Sequence, residues 1–200
     1  MIQPHGVILA GGLATRMGGG DKGRLRVGGR SLFARVIDRL EPQVDRMALN
    51  ANGDAARFAD LGLPVLPDSV DGFAGPLAGV LAGLEWAAET GAPHIVTAAA
   101  DTPFFPADLV PRLLLAAGPE GVALAATRDE DGKLWHQPTF GLWPTALRHD
   151  LRAALEGGLR KVLHWTDRHG AGMAEFPVTG LDPFFNINTP DDLATAEAAL

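Results

Sequence analysis

The sequence predicts an α/β fold, three layers deep, with a mostly parallel sheet and helices on both faces. Three observations predict it. Short apolar runs alternate with helical stretches across residues 6–127, the pattern of parallel strands joined by helical crossovers. A chain of 200 residues, 46% hydrophobic and 20% charged, is long enough to bury a full core as one domain, 1–200. Several apolar runs also stop at glycine, asparagine or aspartate, residues that suit the ligand-binding carboxyl ends of such sheets.

Taken in order, Gly6 to Ala10 reads as a buried strand, short, apolar and ended by glycine. A glycine-rich loop follows to about Gly23. Leu25–Val27 is a short extended piece before a Gly28-Gly29 turn. Ser31 then caps a helix whose Leu32, Val36, Ile37 and Leu40 share one face, and Pro42 limits it. Met47 to Ala51 is the second strand. A short helix around 55–61 precedes a third strand at Val65-Leu66, and residues 68–76 form a loop. An alanine-rich helix runs from Leu77 to about Thr90, and His94 to Ala100 is the fourth strand. A helix over about 106–117 and a strand at Val122–Thr127 follow. Arg128 to Lys133 is a turn or hairpin tip, Thr139 to Trp143 a strand, and one or two helices cover 144–168. The last helix has threonine at the cap (Thr189), proline first and acids in the first turn. Strand ends therefore select three points for a ligand: the loop after Ala10, Asn50 and Asp101.

Composition narrows the function. No cysteine is present, so disulfides, thiolate metal sites and cysteine nucleophiles are excluded. Aromatic content is 6% with no tyrosine, which argues against a stacking surface for single-stranded nucleic acid. Net charge is −7, which disfavours nucleic acid generally. Residues 16–30 nevertheless hold Arg16, Lys22, Arg24, Arg26 and Arg30 against Asp21 alone, leaving 12 basic and 23 acidic residues elsewhere. A small positive island on an acidic chain suits a small anionic ligand. No signal peptide and no apolar run of the roughly 20 residues that span a bilayer are visible, so a cytoplasmic protein without a membrane contact is expected.

The loop itself carries chemistry. Five glycines fall between Gly11 and Gly20. A backbone without Cβ atoms can approach a ligand closely, and its N–H groups form a concavity for anions. Arg16 and Lys22 add charge where a polyphosphate needs it. Gly18-x-Gly20-x-x-Gly23 matches the dinucleotide fingerprint by spelling only, because it opens no clear helix, and the Walker A pattern is absent. Asp101 ends a buried strand and is read either as a cap for the next helix or as a ligand for Mg²⁺, which takes one or two carboxylates with water and phosphate oxygens. Asn186 and Asn188 lie two apart, hence on one face of an extended segment. They serve either turn chemistry or the orientation of groups near Asp101. The six histidines show no metal-ligand spacing, and His136 is the one histidine placed for substrate contact.

Together these residues resemble the molybdenum cofactor guanylyltransferases, whose signature is L-A-G-G-x-x-x-R-M-G followed by D-K. Leu9-Ala10-Gly11-Gly12, Arg16-Met17-Gly18 and Asp21-Lys22 carry the likeness. So do Asn50-Ala51-Asn52, Pro67-Asp68, Gly75-Pro76-Leu77-Ala78-Gly79, Asp101-Thr102-Pro103, Pro138-Thr139 and Asn186-x-Asn188-Thr189-Pro190. The match runs from residue 6 to about 196. It implies a Rossmann-like nucleotidyltransferase sheet of the glycosyltransferase-A kind. It also implies transfer of GMP from GTP to the phosphate of molybdopterin, with Mg²⁺ as cofactor and release of pyrophosphate. Residues 6–127 would form the GTP-binding half and 128–200 the pterin-substrate half with the C-terminal helix.

Carried over by position, Leu9, Ala10, Gly11, Gly12, Lys22, Asn50, Asp68, Gly75, Pro76, Leu77 and Asp101 would bind GTP. Arg16, Lys22 and Asp101 would be catalytic, and Asp101 would hold the metal. His136, Arg160, Asn186 and Asn188 would face the pterin. A molybdenum-insertion protein and molybdoenzyme chaperones are the partners implied. The sequence departs from the family at Ala100, where a cysteine is frequent, and at Gln137, which interrupts a His-Pro pair. The rival readings are a relative that uses CTP, one that activates a sugar or alcohol phosphate, and a non-catalytic nucleotide-binding module. The second glycine of Gly11-Gly12 favours guanine over cytosine.

Overall fold

The computed structural model describes residues 3–11, 21–70, 72 and 75–200. Gly12 and Arg16, with the rest of 12–20, lie outside the described residues.

Seven strands form the central sheet. In chain order its members are β1 (His5–Leu9), β4 (Met47–Asn50), β5 (Val65–Leu66), β6 (His94–Ala99), β7 (Ala123–Arg128), β8 (Leu134–Pro144) and β9 (Gly172–Phe176). The spatial order is β5-β4-β1-β6-β8-β7-β9. Strands β5, β4, β1 and β6 are mutually parallel, and β8 runs antiparallel to both β6 and β7. β9 adds parallel to β7. A two-stranded hairpin, β2 (Arg26–Val27) and β3 (Arg30–Ser31), stands apart and turns through Gly28 and Gly29, both at positive φ.

Side-chain alternation along β1 divides the core. Ile8 faces α1 (Leu32–Leu40) and α3 (Leu109–Ala116) with Phe33, Val36, Leu40 and Leu113. Val7 and Leu9 face the opposite side, against α2 (Pro76–Thr90), α4 (Arg148–Glu156) and α5 (Val162–Arg168). Helices thus cover both faces, giving the three layers expected. The last helix, α6 (Pro190–Ala198), packs Ala196 with Ile187, Val27 and Leu32 in a smaller cluster beside the hairpin.

The caps match the sequence reading. The Ser31 hydroxyl accepts from Ala34 N at 3.1 Å, and Thr189 with Asp192 forms a reciprocal capping box. Four elements differ from expectation. Residues 55–61 form a 3-10 helix, with Phe58 buried and Leu61 packed against the core. α3 starts at Leu109, since Phe105 is drawn into the core ahead of it and Pro111 then falls in the first turn. β8 is twice the predicted length, and Pro138 obscures it. The register against β7 jumps from Leu124↔Gly141 to Ala125↔Gln137, so the proline sits in a bulge where its missing N–H costs no ladder bond. β9 went unread although Ala174 and Phe176 alternate inward around Glu175. Five residues at a sheet edge carry too short a pattern to stand out.

Candidate active site

Register brings the three predicted strand ends together. Leu9 pairs with Asn50 on one side and with Ala99 on the other. Ala10 N donates to the carbonyl of Asn50 at 2.9 Å, and Ala100 N to that of Leu9 at 3.0 Å. Asn50, Gly11 and Asp101 therefore share one edge, spread over two strand spacings, about 10 Å.

At the β6 end of that edge, Lys22 carries the charge. Its Nζ lies 3.4 Å from Asp101 Oδ2, with side-chain exposures of 18% and 24%. The same ammonium donates to Asn188 Oδ1. Lys22 stands at the start of a 3-10 turn, Lys22–Arg24. That turn is held close to α1 by Gly23, where a Cβ would meet the Phe33 ring at 2.4 Å. A small cleft lined by Leu9, Ala10, Lys22, Gly23, Phe33 and Asp101 opens here.

The C-terminal segment completes this corner. Ile187 is fully buried and its N–H donates to the Asp101 carbonyl at 2.9 Å. Burying Ile187 turns both neighbours the other way, as alternation in an extended segment requires. Asn186 Oδ1 accepts from the Thr102 hydroxyl, which also reaches Asp101 Oδ1 at 3.3 Å. Asn188 is fixed from behind by Asp192, whose carboxylate accepts from Asn188 N at 2.9 Å and Thr189 N at 2.8 Å. Those backbone donors, first that of Asn188, hold Asp192 below its ordinary carboxylate value. Helix capping and site geometry are thus one network.

At the β4 end, Asn50 and Asn52 grip Asp68. Asn50 Nδ2 donates to Asp68 Oδ1 at 2.9 Å and to Leu66 O at 3.0 Å. Asn52 donates to Asp68 Oδ2 and accepts from Asp68 N, both at 2.8 Å. The carboxylate is oriented yet keeps lone pairs for a ligand. α2 packs against this corner through Gly79, where a Cβ would meet Asn50 Oδ1 at 2.1 Å and Leu9 Cδ2 at 2.8 Å. Gly75 caps that helix and Pro76 begins it, while the Leu77 side chain is buried in the core, so Leu77 can offer a ligand only its backbone.

Not every predicted residue gathers here. The positive island is divided: Arg24 pairs with Asp60, Arg30 with Asp38, and Arg26 bonds Gly29 O. Among the described residues of that stretch, Lys22 alone reaches Asp101. His136 pairs with Ala126 in the hairpin of β7 and β8. Arg160 donates to the carbonyls of Leu155 and Leu159 in the connection between α4 and α5. Three residues were not singled out for the site on sequence alone: Asn52, Thr102 and Gly79. Each lies inside a recognised motif, and its role depends on a partner distant in the chain.

The donor set suits a cation such as Mg²⁺. Asp101 offers one carboxylate at the cleft, and Mg²⁺ takes most of its remaining shell from water and phosphate oxygens. No group of three or more His, Asp or Glu able to hold a metal occurs among the described residues. Two carboxylates line the cleft: Asp21, which lies 3.5 Å from Arg57, and Asp101, beside the Lys22 ammonium.

The model of the MobA-like NTP transferase domain matches residues 6–171. A molybdenum cofactor guanylyltransferase of Rhodopseudomonas palustris (strain HaA2) is 55% identical, the match covering 97% of this chain and 91% of the relative. One from Cereibacter sphaeroides is 51% identical, over 100% and 98%. Among solved structures, molybdopterin-guanine dinucleotide biosynthesis protein A from Archaeoglobus fulgidus shares the fold with a TM-score of 0.71 at 24% identity, covering 98% of this chain and 97% of that one. The chain belongs to the MobA-like NTP transferase family and, within it, to the molybdenum cofactor guanylyltransferases.

Proposed function

We propose that the chain transfers GMP from GTP to the phosphate of molybdopterin, forming the guanine dinucleotide and releasing pyrophosphate. One observation carries the reading: Lys22, Asp101 and Asn188 converge at the carboxyl edge of β1 and β6, two strands from an oriented Asp68. An extended nucleotide fits that spread. Its nucleoside would lie toward Asn50, Asp68 and the Gly75–Leu77 turn, and its triphosphate toward Gly11 and Lys22.

Phosphoryl chemistry asks for alignment and charge stabilisation more than for covalent help. The acceptor phosphate is already ionised near neutral pH and needs no base. Negative charge grows on the pyrophosphate leaving group, and Lys22 would meet it with a fixed ammonium. Arg16, outside the described residues, is proposed for the same role. Nucleotidyltransferases of this family work with a divalent cation. Asp101 would hold Mg²⁺, which, when bound, screens the phosphate oxygens against the incoming nucleophile. Asn186, Asn188, His136 and Arg160 are assigned to the acceptor side, which makes 128–200 the acceptor half. No helix among the described residues is long and apolar enough to cross a membrane. The reading places the reaction in the cytoplasm, with a molybdenum-insertion protein and molybdoenzyme chaperones as neighbours in the process.

Pyrophosphate release with molybdopterin and Mg²⁺, run in parallel with GTP, CTP and ATP, tests this. GTP should be preferred, and release should require the acceptor. Equal turnover with CTP, or release independent of molybdopterin, would overturn it.

A further inference from the structure

Beyond the strand ends that meet at Asp101, the β7–β8 hairpin projects from the same carboxyl edge of the sheet. On one face of it lies a groove of about 640 Å³, lined by Thr127, Asp129, Glu130, Trp135, Val178 and Asp182 among others. Pockets for small molecules have volumes of about 300–1,000 Å³. Trp135 is 50% exposed and Val178 41%, two of the large apolar residues left open to solvent among those described.

The open indole is held in place. Trp135 Nε1 donates to Asp129 Oδ2 at 2.8 Å, and Asp129 Oδ1 accepts from Lys133 N at 2.8 Å. The Lys133 ammonium stands 3.7 Å from the ring centroid. With Lys133 over one face and its N–H tied to Asp129, the half-exposed ring is a fixed apolar surface on which a planar ligand can stack.

Its position names what that is. Trp135 pairs with Thr127, which shares a sheet face with the inward Ala123 and Ala125. The chain after β9 covers this face. Val178 and Asp182 line the groove, Phe184 packs on Phe140 and Phe176, Asn186 bonds Thr102, and Asn188 bonds Lys22. One run thus lines the groove at one end and the reacting centre at the other. Asn186 lies four positions beyond Asp182, at most about 14 Å of extended chain.

Resting on the transfer reading above, we propose that this groove is the subsite for the pterin end of the acceptor. The acceptor's phosphate must reach the nucleotide beside Asp101, which leaves its heterocyclic end farther out along the same edge. Trp135 stacks on the pyrimidinone ring. Glu130 and Asp182 accept from the ring N–H and exocyclic amine, donors that a pterin presents on one edge. Asp182 spends Oδ1 on Phe184 N at 2.8 Å, which leaves its second oxygen to accept from the ligand.

The test uses the full chain with metal-free molybdopterin, GTP and Mg²⁺. Trp135→Ala should raise the acceptor KM about tenfold, in line with the loss of one aromatic stacking partner. The GTP KM and kcat should stay within about twofold of wild type, as only acceptor binding is removed. Trp135→Phe should restore most of the affinity, and Glu130→Gln should raise the acceptor KM alone. Unchanged thermal midpoints verify folding. A folded Trp135→Ala enzyme with an unaltered acceptor KM, or a fall in kcat at constant KM, overturns the subsite. Retention of molybdopterin on the protein through gel filtration gives a second readout. If the wild type releases no pyrophosphate, the transfer reading fails. Loss of retention in Trp135→Ala would still uphold the groove, and equal retention would refute it.

Discussion

Replacing Lys22 by methionine removes the ammonium and keeps most of the side-chain volume. The structure sets what should be lost. At 3.4 Å from Asp101 Oδ2, the gross attraction is about 5 kcal/mol at an effective dielectric near 20 and about 1 kcal/mol in bulk water. Both side chains are partly exposed, at 18% and 24%, so the stability lost should fall between these limits, at about 2 kcal/mol. That is a minor part of the roughly 5–15 kcal/mol of a folded domain, and the variant should stay folded. Catalysis should suffer more. A preorganised donor aimed at developing charge contributes about 3–4 kcal/mol, so kcat should drop by about 10²–10³. Asp101→Asn should abolish Mg²⁺-dependent turnover, and the double variant should be far from additive, because both side chains meet at one point. Initial rates of pyrophosphate release at saturating substrates, with urea unfolding alongside, measure both quantities. A folded Lys22→Met enzyme with kcat within threefold of wild type would refute the reasoning.

Asn52→Ala removes two contacts that orient Asp68, each worth about 1 kcal/mol. GTP should bind about 10–30-fold more weakly by calorimetry, with kcat at saturation little changed. Gly79→Ala puts a Cβ at 2.1 Å from Asn50 Oδ1, so it should destabilise the fold by about 1–3 kcal/mol in urea and weaken GTP binding together. Acid should also destabilise the protein. Burial lowers the pKa of His94, and it lowers that of His5 against the opposing charge of Asp45, both from the ordinary 6.5. Neither His5 ring nitrogen has a hydrogen-bond partner among the described residues. The unfolded chain therefore binds more protons just below that value. The neutral rings add their full stability above pH 6.5, and it drains away as pH falls toward the lowered folded values. Unfolding midpoints at pH 7.5 and 5.5 check this, and His5→Phe should show a shallower fall than wild type.

The sequence alone carried the order of elements over residues 6–127 and the shared direction of their sheet strands. Strand–helix alternation dictates parallel pairing, and a parallel sheet has one edge where strand ends and loops collect. Ser31, Thr189 and the Gly28-Gly29 turn were legible because caps and turns are local chemistry, settled within a few residues. So was the link between the glycine loop, Asn50 and Asp101, since all three follow strands of the same sense. What no local pattern could hold was register and reach. β8 runs past its proline because β7 and β6 pair with it on either side. Arg24, Arg26 and Arg30 read like Lys22 in the sequence, yet their partners are Asp60, the Gly29 carbonyl and Asp38, not Asp101. Asn188 meets Lys22 across 166 positions of chain, aimed there by the burial of Ile187 and the hold of Asp192. A sequence fixes which chemistry sits at each strand end. Packing decides which of those groups share a ligand, because that depends on side chains brought together from opposite ends of the chain.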